Sequence, residues 1–381
     1  MGSGWHVILS AAKNLLLVAA MPRCERVRGR NCQWENEELE IHSCDKGSDP
    51  AAFPSFPQSP RKTEMLDEGF FGTANISLVG NVNRDIRISP IPPGSHLFAD
   101  GETSVTSVTE TVGGGGANSA LAAAALGARV AFLGRVGADW LGHRLEQTLT
   151  SHGVSAYLKK LSGCPTGTSV NLTFISGHHH FLSSLPNNAS LAFEDLDLSA
   201  LEGFDHLLRA DIWFSDAMLY GGNERLFRHA HEAGMRISMD LNWDPQWRVG
   251  SPAEVRRRKE AVRLVLPLVD LVHGNIRELN EFAGSNDLQQ SLRALEDWGV
   301  GAVVVHMGAK GAGYYRNGFL IVEDSVPAGR QVNTTGTGDV LSVCMMLLDQ
   351  ERRSTIGEKL RLANLIVSQF IAGERSLIPA L

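Results

Sequence analysis

Short apolar runs alternate with longer segments of helical period along the chain from Asn75 onward. Strands without polar interruptions are typical of parallel sheets buried on both faces. The pattern therefore predicts an α/β fold, with helices covering both faces of a mostly parallel sheet. The predicted strands are Ile76–Val79, Val130–Leu133, Ile212–Phe214, Ile237–Met239, Leu271–Val272 and Ala302–Val305, and the clearest helical segments are Gly142–His152, Glu224–Ala233 and Leu288–Trp298.

Two segments, 86–112 and 166–183, break this alternation because they favour strands without an intervening helix. The first contains the Thr- and Val-rich run Thr103–Val112, and the second contains Thr168–Ile175. β-Branched residues favour strands because their side chains pack well on a pleated surface. We expect the two segments to form a small separate sheet that extends from the main domain as a lid.

Residues 1–70 differ from the rest of the chain, since they show no sustained helical or strand period and contain a cluster of prolines (Pro54, Pro57 and Pro60). The apolar stretch Val7–Met21 lacks a preceding basic residue and a following A-x-A site, which argues against a signal peptide. We expect residues 1–70 to be a disordered extension, or to precede a true translation start at Met65. Residues 71–381 are then expected to form one domain.

Composition and charge exclude two classes of protein. The 381 residues are 43% hydrophobic and carry a formal net charge of −7. No apolar window approaches the roughly 18 residues of a membrane-spanning helix, and a net negative charge does not favour nucleic-acid binding. The five cysteines include no C-x-x-C pair, so we expect neither a zinc site nor a disulfide framework but a reducing, cytoplasmic location.

Glycine is abundant, with 39 residues, and one glycine-rich turn, Asn333–Asp339, leads directly into an apolar helix. The free N–H groups at the start of a helix attract anions, and phosphate is the natural guest. Asp339 would repel a phosphate but suits a base that takes a proton from an attacking hydroxyl. Taken alone, the motif is also compatible with a simple aspartate N-cap.

A second glycine run, Gly113, Gly114, Gly115 and Gly116, precedes Asn118 and an alanine-rich helix. The dinucleotide-binding pattern G-x-G-x-x-G fails in every register, because Asn118 or Ser119 stands at the third glycine position. A nicotinamide-dependent dehydrogenase is therefore disfavoured. The run suits close approach of the backbone to a polyhydroxylated ligand, with Asn118 both donating and accepting hydrogen bonds, although a flexible linker has the same composition.

Both turns occur in the order and context of a known family. From about Ile76 to Ala372 the sequence resembles the ribokinase family, also called the PfkB carbohydrate kinases. The first signature runs from Gly113 to Asn118 and on through Gly134–Gly142, and the second is Asn333–Asp339. The resemblance implies a ribokinase-like three-layer sandwich, a mostly parallel central sheet with a small β-sheet lid, and ATP-dependent phosphorylation of a sugar hydroxyl.

The resemblance also implies roles for the residues of the second signature. Asp339 matches the catalytic base, and the backbone amides of Gly336, Thr337 and Gly338 match the anion hole for the transferred phosphoryl group. Asn333 stands where the family usually has aspartate, at a position near the nucleotide phosphates. The lost charge leaves open a different handling of Mg²⁺ or of a monovalent cation.

Further positions match the family's substrate and nucleotide sites. Asn275 and Glu278 resemble an N-x-x-E element that organises Mg²⁺ and the phosphates, although a first-turn glutamate also simply offsets the helix dipole. Asp240 and Asn242 resemble a strand end facing the transfer site. The implied sugar ligands are Asn83, Asp85, Gly113, Gly114, Gly115 and Asn118, and the implied nucleotide contacts are Gly308, Lys310, Gly311 and Asn364.

Several alternatives remain at this point. Asn83 and Asp85 could form an Asx turn, and His178–His180 are expected in a turn between lid strands rather than at a metal. Arg84, Arg87 and Arg135 could bind a phosphate on the substrate or simply lie on the surface. A nucleoside kinase and a catalytically idle sugar-binding relative are the other candidate functions. The resemblance further implies a homodimer formed through the lid.

Overall fold

The computed structural model describes residues 68–176, 178–331 and 335–381. The predictions for residues 1–67 and for Asn333 lie outside this part of the chain. Glu68–Thr73 forms a short 3-10 helix, and Phe71 is buried in the core with 1% of its surface exposed. The domain boundary at residue 70 remains a prediction.

The described residues form thirteen strands in two sheets. The large sheet has the order β13-β12-β11-β10-β9-β8-β1-β4-β5 and is parallel except for β12 and β13 at one edge. The small sheet has the order β3-β2-β6-β7. The strands are β1 (Asn75–Val79), β2 (Asn83–Ile91), β3 (Val108–Gly113), β4 (Arg129–Gly137), β5 (Val154–Leu161), β6 (Thr168–Phe174), β7 (His179–Ser184), β8 (His206–Arg209), β9 (Arg236–Asp240), β10 (Leu271–Asn275), β11 (Ala302–His306), β12 (Ala312–Arg316) and β13 (Phe319–Glu323).

Helices pack on both faces of the large sheet, which confirms the predicted three-layer α/β architecture. Leu78 belongs to the core cluster that contains residues of α1, α2, α9 and α10. Its neighbour Val79 belongs to the cluster on the opposite face, with α4, α6, α7 and α8. The helices are α1 (Gly115–Ala125), α2 (Trp140–Ser151), α3 (Pro186–Ala189), α4 (Asn223–Glu232), α5 (Gln246–Val249), α6 (Pro252–Arg263), α7 (Ile276–Ala283), α8 (Leu288–Asp297), α9 (Thr337–Asp349) and α10 (Ile356–Ala372).

The prediction of a strand at Ile212–Phe214 is wrong. The strand lies earlier, at His206–Arg209, and the apolar run forms a turn after it. Trp213 of this run is buried with 1% exposure and contacts the ring of Trp247 edge-on. The strand was missed because two of its four residues, His206 and Arg209, are polar yet fully buried.

The small sheet confirms the predicted lid, with slightly different limits. Its strands begin earlier than expected, at Asn83, and extend to Gly113 and Ser184. His179 and His180 lie in strand β7 rather than in the turn before it, so the prediction of a three-histidine turn is wrong for these two residues. Within the part of the chain that the structure describes, no helix is long and apolar enough to cross a membrane.

The carboxyl ends of the parallel strands all lie at the same end of the large sheet, which is where open α/β sheets bind their ligands. From this end, β1 leads directly into lid strand β2. β9 and β10 end there at Asp240 and Asn275. The fold therefore gathers the lid and the polar strand ends around one cleft.

Candidate active site

The two glycine-rich motifs meet through one side-chain hydrogen bond. Asn118 Nδ2, on helix α1, donates to Asp339 Oδ2, on helix α9, over 2.9 Å, and the two residues are 221 positions apart in the chain. Asn118 is 4% exposed, and its Oδ1 is buried without a partner among the described residues. Asn118, one of the implied sugar ligands, thus orients Asp339, the candidate base.

The environment of Asp339 raises its pKa to about 8. Burial contributes most to the shift, while the hydrogen bond from Asn118 opposes it and the nearby charges of Asp211, Asp85 and Glu278 add to it. A carboxylate is a stronger proton acceptor when its pKa lies close to the working pH. Asp339 is therefore a strong proton acceptor once it is ionised.

Helix α9 begins at a glycine rather than at an aspartate cap. Gly336 is the N-cap, with the left-handed φ of 85° and no side-chain cap bond, and Asp339 lies in the first turn. The alternative of Asp339 as a simple N-cap is therefore wrong. A Cβ on Gly336 would lie 2.6 Å from Ile378 Cδ1. Because the first N–H groups of a helix have no partner within it, those of Thr337 and Gly338 can face an anion.

Asp211, which no sequence pattern singled out, organises the backbone at the candidate site. Its Oδ2 accepts hydrogen bonds from the N–H groups of Asn81 and Gly116, each at 2.9 Å, and its Oδ1 accepts one from Gly115 at 3.2 Å. This internal carboxylate therefore occupies the start of helix α1, so that helix start is not free for an external anion.

Asp211 itself adopts a left-handed φ of 55°, and its N–H donates to Asn242 Oδ1 at 2.8 Å. In the sequence, Asp211 is recognisable only as an aspartate just after strand β8, and the position of that strand was itself predicted wrongly. Asn242 thus supports Asp211, and its expected place facing the transfer site stays a prediction.

Asn83 and Asp85 lie in lid strand β2, so the alternative of an Asx turn is wrong. Asn83 Nδ2 donates to Asp85 Oδ1 at 2.8 Å, and burial raises the pKa of Asp85 to about 6. The two side chains pack directly over Gly113 at the end of β3. A Cβ there would lie 2.0 Å from Asp85 Oδ1 and 2.6 Å from Asn83 Nδ2, so only glycine fits at this position.

Asn275 and Glu278 form a reciprocal capping box at the start of α7. The Asn275 N–H donates to Glu278 Oε2, and the Glu278 N–H donates to Asn275 Oδ1, each at 2.9 Å. Burial raises the pKa of Glu278. Each of the two oxygens has a second lone pair, so the cap still leaves acceptor capacity towards a cation.

Asp240 lies at the end of β9, and burial raises its pKa well above the usual value, helped by the charges of Asp339 and Glu278. Its Oδ2 accepts a hydrogen bond from Ser342 Oγ of helix α9 at 3.1 Å. Among the described residues no group of three or more His, Cys, Asp or Glu side chains is arranged to hold a metal by itself. A cation here needs ligands from a bound phosphate as well, which is how Mg²⁺ commonly binds.

The residues that are predicted to contact the nucleotide lie elsewhere, around strands β11 to β13. Gly308–Lys310 forms a 3-10 turn after β11, and a Cβ on Gly311 would lie 2.1 Å from the Glu323 carbonyl oxygen. Asn364 Nδ2 donates to the carbonyl oxygens of Glu323 and Asp324 at 3.1 and 3.0 Å. The observed role of Asn364 is therefore to hold the chain after β13, and Lys310 is exposed to solvent.

Comparison with protein-family models identifies one match, described as "pfkB family carbohydrate kinase", over residues 73–347. Among curated proteins, the chain is 26% identical to probable fructokinase-4 of Arabidopsis thaliana over 289 residues, which cover 71% of this chain and 84% of that protein. It is 24% identical to a ribokinase of the same species over 292 residues, which cover 73% of this chain and 71% of that protein.

Among solved structures, a candidate ribokinase II from E. coli in complex with ATP and Mg²⁺ superposes with a TM-score of 0.67. The match covers 80% of this chain and 96% of that one, with 19% sequence identity. This likeness confirms the ribokinase-like fold.

Replacing Asp211 by alanine is expected to lower the free energy of unfolding by about 2–4 kcal/mol, because three backbone N–H groups lose their acceptor. Chemical denaturation measures this change. Asp205→Ala is the matched control, since the Asp205 carboxylate accepts only an exposed bond from Asn75, and it is expected to cost about 0.5 kcal/mol or less. Equal losses in the two variants would contradict the assigned role of Asp211.

Proposed function

The chain belongs to the pfkB family of carbohydrate kinases, and we propose that it transfers the γ-phosphoryl group of ATP to a hydroxyl of a sugar or sugar derivative. The observation that carries this proposal is the Asn118–Asp339 hydrogen bond. It joins Asp339, which has a raised pKa and lies in the first turn of α9, to Asn118 of the first glycine-rich motif, which is the proposed sugar-binding motif. Retention of this arrangement, together with Glu278, argues against a catalytically idle relative.

The proposed reaction is a single in-line displacement. Asp339 takes the proton of the acceptor hydroxyl, whose oxygen forms a bond to the γ-phosphorus while the bond between that phosphorus and the bridging oxygen breaks and ADP leaves. The N–H groups of Gly336, Thr337 and Gly338 receive the negative charge of the transferred group. Asp339 later releases its proton to solvent.

Asn275 and Glu278 are the residues proposed to hold Mg²⁺, whose charge would neutralise the phosphate oxygens. Their oxygens lie at the start of α7, and both keep a free lone pair beside the capping bonds. Gly308, Lys310, Gly311, Asn333 and Asn364 remain the proposed nucleotide contacts. A monovalent cation and a cytoplasmic location likewise remain predictions.

The inner face of the lid favours a sugar over a nucleoside. Residues that pair across the four strands project to the same face. Of the eleven residues with a side chain on the face of Asp85, one is aromatic, whereas an apolar or aromatic surface would favour a nucleobase. The inner face comprises Asn83, Asp85, Arg87, Thr109, Thr111, Ser169, Asn171, Thr173, His179, Phe181 and Ser183.

The lid also contacts the anion-binding turn. Asn171 Nδ2 donates to Thr335 Oγ1 at 3.1 Å, and Asn171 is 1% exposed. This bond joins strand β6 of the lid to the residue just before Gly336. We propose that the lid closes over the bound sugar and excludes water, which would otherwise accept the phosphoryl group.

Asp339→Asn is expected to lower kcat by about 10²–10⁴-fold, the usual contribution of a general base, while binding of ATP persists. The measurement is ADP release over a panel of ketoses, aldoses, sugar acids, sugar phosphates and nucleosides, with the variant as the blank. If no acceptor stimulates ADP release by the intact protein above this blank, the proposed function is wrong. Near-normal turnover in the variant would instead exclude Asp339 as the base.

The pH dependence of kcat/KM for the acceptor is expected to follow Asp339. The carboxylate must be ionised to take a proton, so kcat/KM falls about tenfold per pH unit below its pKa and levels off above it. That pKa is about 8 in the unliganded protein. Initial rates at low acceptor concentration measure the profile. If kcat/KM did not change as the pH passes through this pKa, the assignment would be contradicted.

The outer face of the lid supports a homodimer. Val108 and Leu182 on this face are 58% and 55% exposed, and Ile86, Ile88, Val170 and Leu172 share it by the strand register. The C-terminal residue Leu381 donates its N–H to the Glu110 carbonyl oxygen at 3.0 Å, so the chain's own end covers part of the β3 edge. We propose that the apolar outer face pairs with that of a second copy.

Light scattering is expected to give the mass of two chains at micromolar concentration. Leu182→Glu should convert the dimer to a monomer, because it introduces a charge into an apolar interface. Leu264→Glu is the matched control, since Leu264 is 71% exposed and follows helix α6, away from the lid strands. A monomeric mass for the unaltered protein would contradict the proposal.

A further inference from the structure

Arg87 lies on the inner face of the lid, two residues beyond Asp85 on strand β2. Its cross-strand neighbours are Thr109 on β3 and Asn171 on β6. Among the eleven inner-face residues it is the only lysine or arginine. Asn171 in turn contacts Thr335 just before helix α9, which places this part of the inner face beside the cleft, and the charge of Asp339 acts on the pKa of Arg87.

The guanidinium of Arg87 has donors without partners. Its Nε and Nη2 atoms are buried and make no hydrogen bond within the described chain. The charge of Asp85 acts on it, yet the described residues include no ion pair of Arg87 within 4.0 Å. Buried donors without acceptors cost free energy, so pairing within the described chain does not explain why these donors of Arg87 are buried.

Arg84 on the same strand provides the contrast. Its side chain lies on the opposite face of the lid, where it donates to Glu110 Oε1 at 3.3 Å and to Thr168 Oγ1 at 3.4 Å. Arg84 is thus paired across neighbouring strands, although its Nε is also buried without a partner among the described residues. Arg87 lies on the same strand, but its guanidinium makes no hydrogen bond to a described residue, and both its Nε and its Nη2 are buried.

The acceptor that best satisfies these donors is an oxyanion. A guanidinium presents planar, parallel N–H groups that match the two oxygens of a carboxylate or phosphate. The residues around Arg87 support such a ligand, because Asn171 Oδ1 is buried without a partner in the described chain and can accept from a neighbouring hydroxyl. His179 lies on the same face of the lid, opposite Thr173, and burial and the Arg87 charge lower its pKa, which favours the neutral imidazole.

Asp85 and Arg87 are far enough apart along β2 to contact different parts of one ligand. Residues Asp85 and Arg87 are two positions apart, or about 6.5 Å along a strand, which is of the order of the length of a small sugar. Asn83 and Asp85 lie over Gly113 and next to the base, where hydroxyl groups must bind. We propose that the acceptor is an acidic sugar, bearing a carboxylate or a phosphate away from the reacting hydroxyl, and that Arg87 binds this anionic group.

This inference rests on the proposed kinase function and specifies its substrate class. The test compares kcat/KM for neutral aldoses and ketoses with that of the corresponding sugar acids and sugar monophosphates. The unaltered protein is expected to prefer a charged acceptor over its neutral parent. The carboxylate and phosphate arms identify which anion is bound, and preference for either supports the proposal.

Arg87→Gln is expected to raise KM for the charged acceptor and to lower its kcat/KM by about 10- to 100-fold, the range for charge-assisted hydrogen bonds. The neutral parent should be unaffected. Arg87→Lys keeps the charge without the planar fork and should retain part of the preference, which also covers the case in which the glutamine variant fails to fold. Arg84→Gln, on the other face of the lid, is the matched control and should leave the preference unchanged.

Three outcomes would overturn the inference. If the unaltered protein prefers neutral sugars, with turnover that depends on Asp339, the proposed function stands and the acidic substrate class is wrong. If Arg87→Gln lowers kcat equally for charged and neutral acceptors, Arg87 acts on the transferred phosphoryl group instead. If no acceptor supports turnover that depends on Asp339, the proposed function and the inference both fail.

Discussion

The buried carboxylate of Asp211 is the contact on which the geometry of the cleft depends. It accepts hydrogen bonds from the chain after β1 and from the first turn of α1, and its own backbone is tied to Asn242 after β9. Three chain segments far apart in the sequence are thereby held at one point. Because a helix N-terminus attracts negative charge, this internal anion occupies the start of α1, whereas the start of α9 is the proposed site of the transferred phosphoryl group.

The same concentration of carboxylates gives the site its proton chemistry. Burial raises the pKa values of Asp85, Asp211, Asp240, Glu278 and Asp339. For Asp85, Asp240 and Asp339, the charges of neighbouring carboxylates raise the pKa further. Holding several acidic groups together is unfavourable in the empty protein. In the proposed mechanism, a cation and the N–H groups at the start of α9 would offset this repulsion when phosphates bind, so nucleotide binding would also favour the ionised form of the base.

The lid joins specificity to catalysis because one of its strands continues directly from β1. Asn83 and Asp85 reach the cleft through this connection, and Asn171 touches the anion-binding turn through Thr335. A substrate that contacts the inner face of the lid would therefore also act on the turn that we propose to receive the phosphoryl group. Arg87 extends this polar face away from the base, where it can distinguish one sugar from another without touching the reacting atoms.

Local sequence patterns determined the fold class, the lid and the position of Asp339, because strand and helix periods and glycine-rich turns are properties of neighbouring residues. The Ile212–Phe214 error has the same origin: an apolar run reports burial, and burial occurs in turns as well as in strands. Asp211 and the free face of Arg87 could not be predicted in this way. Their roles depend on partners more than ninety residues away, or on which face of a strand meets the cleft, and only tertiary packing decides both.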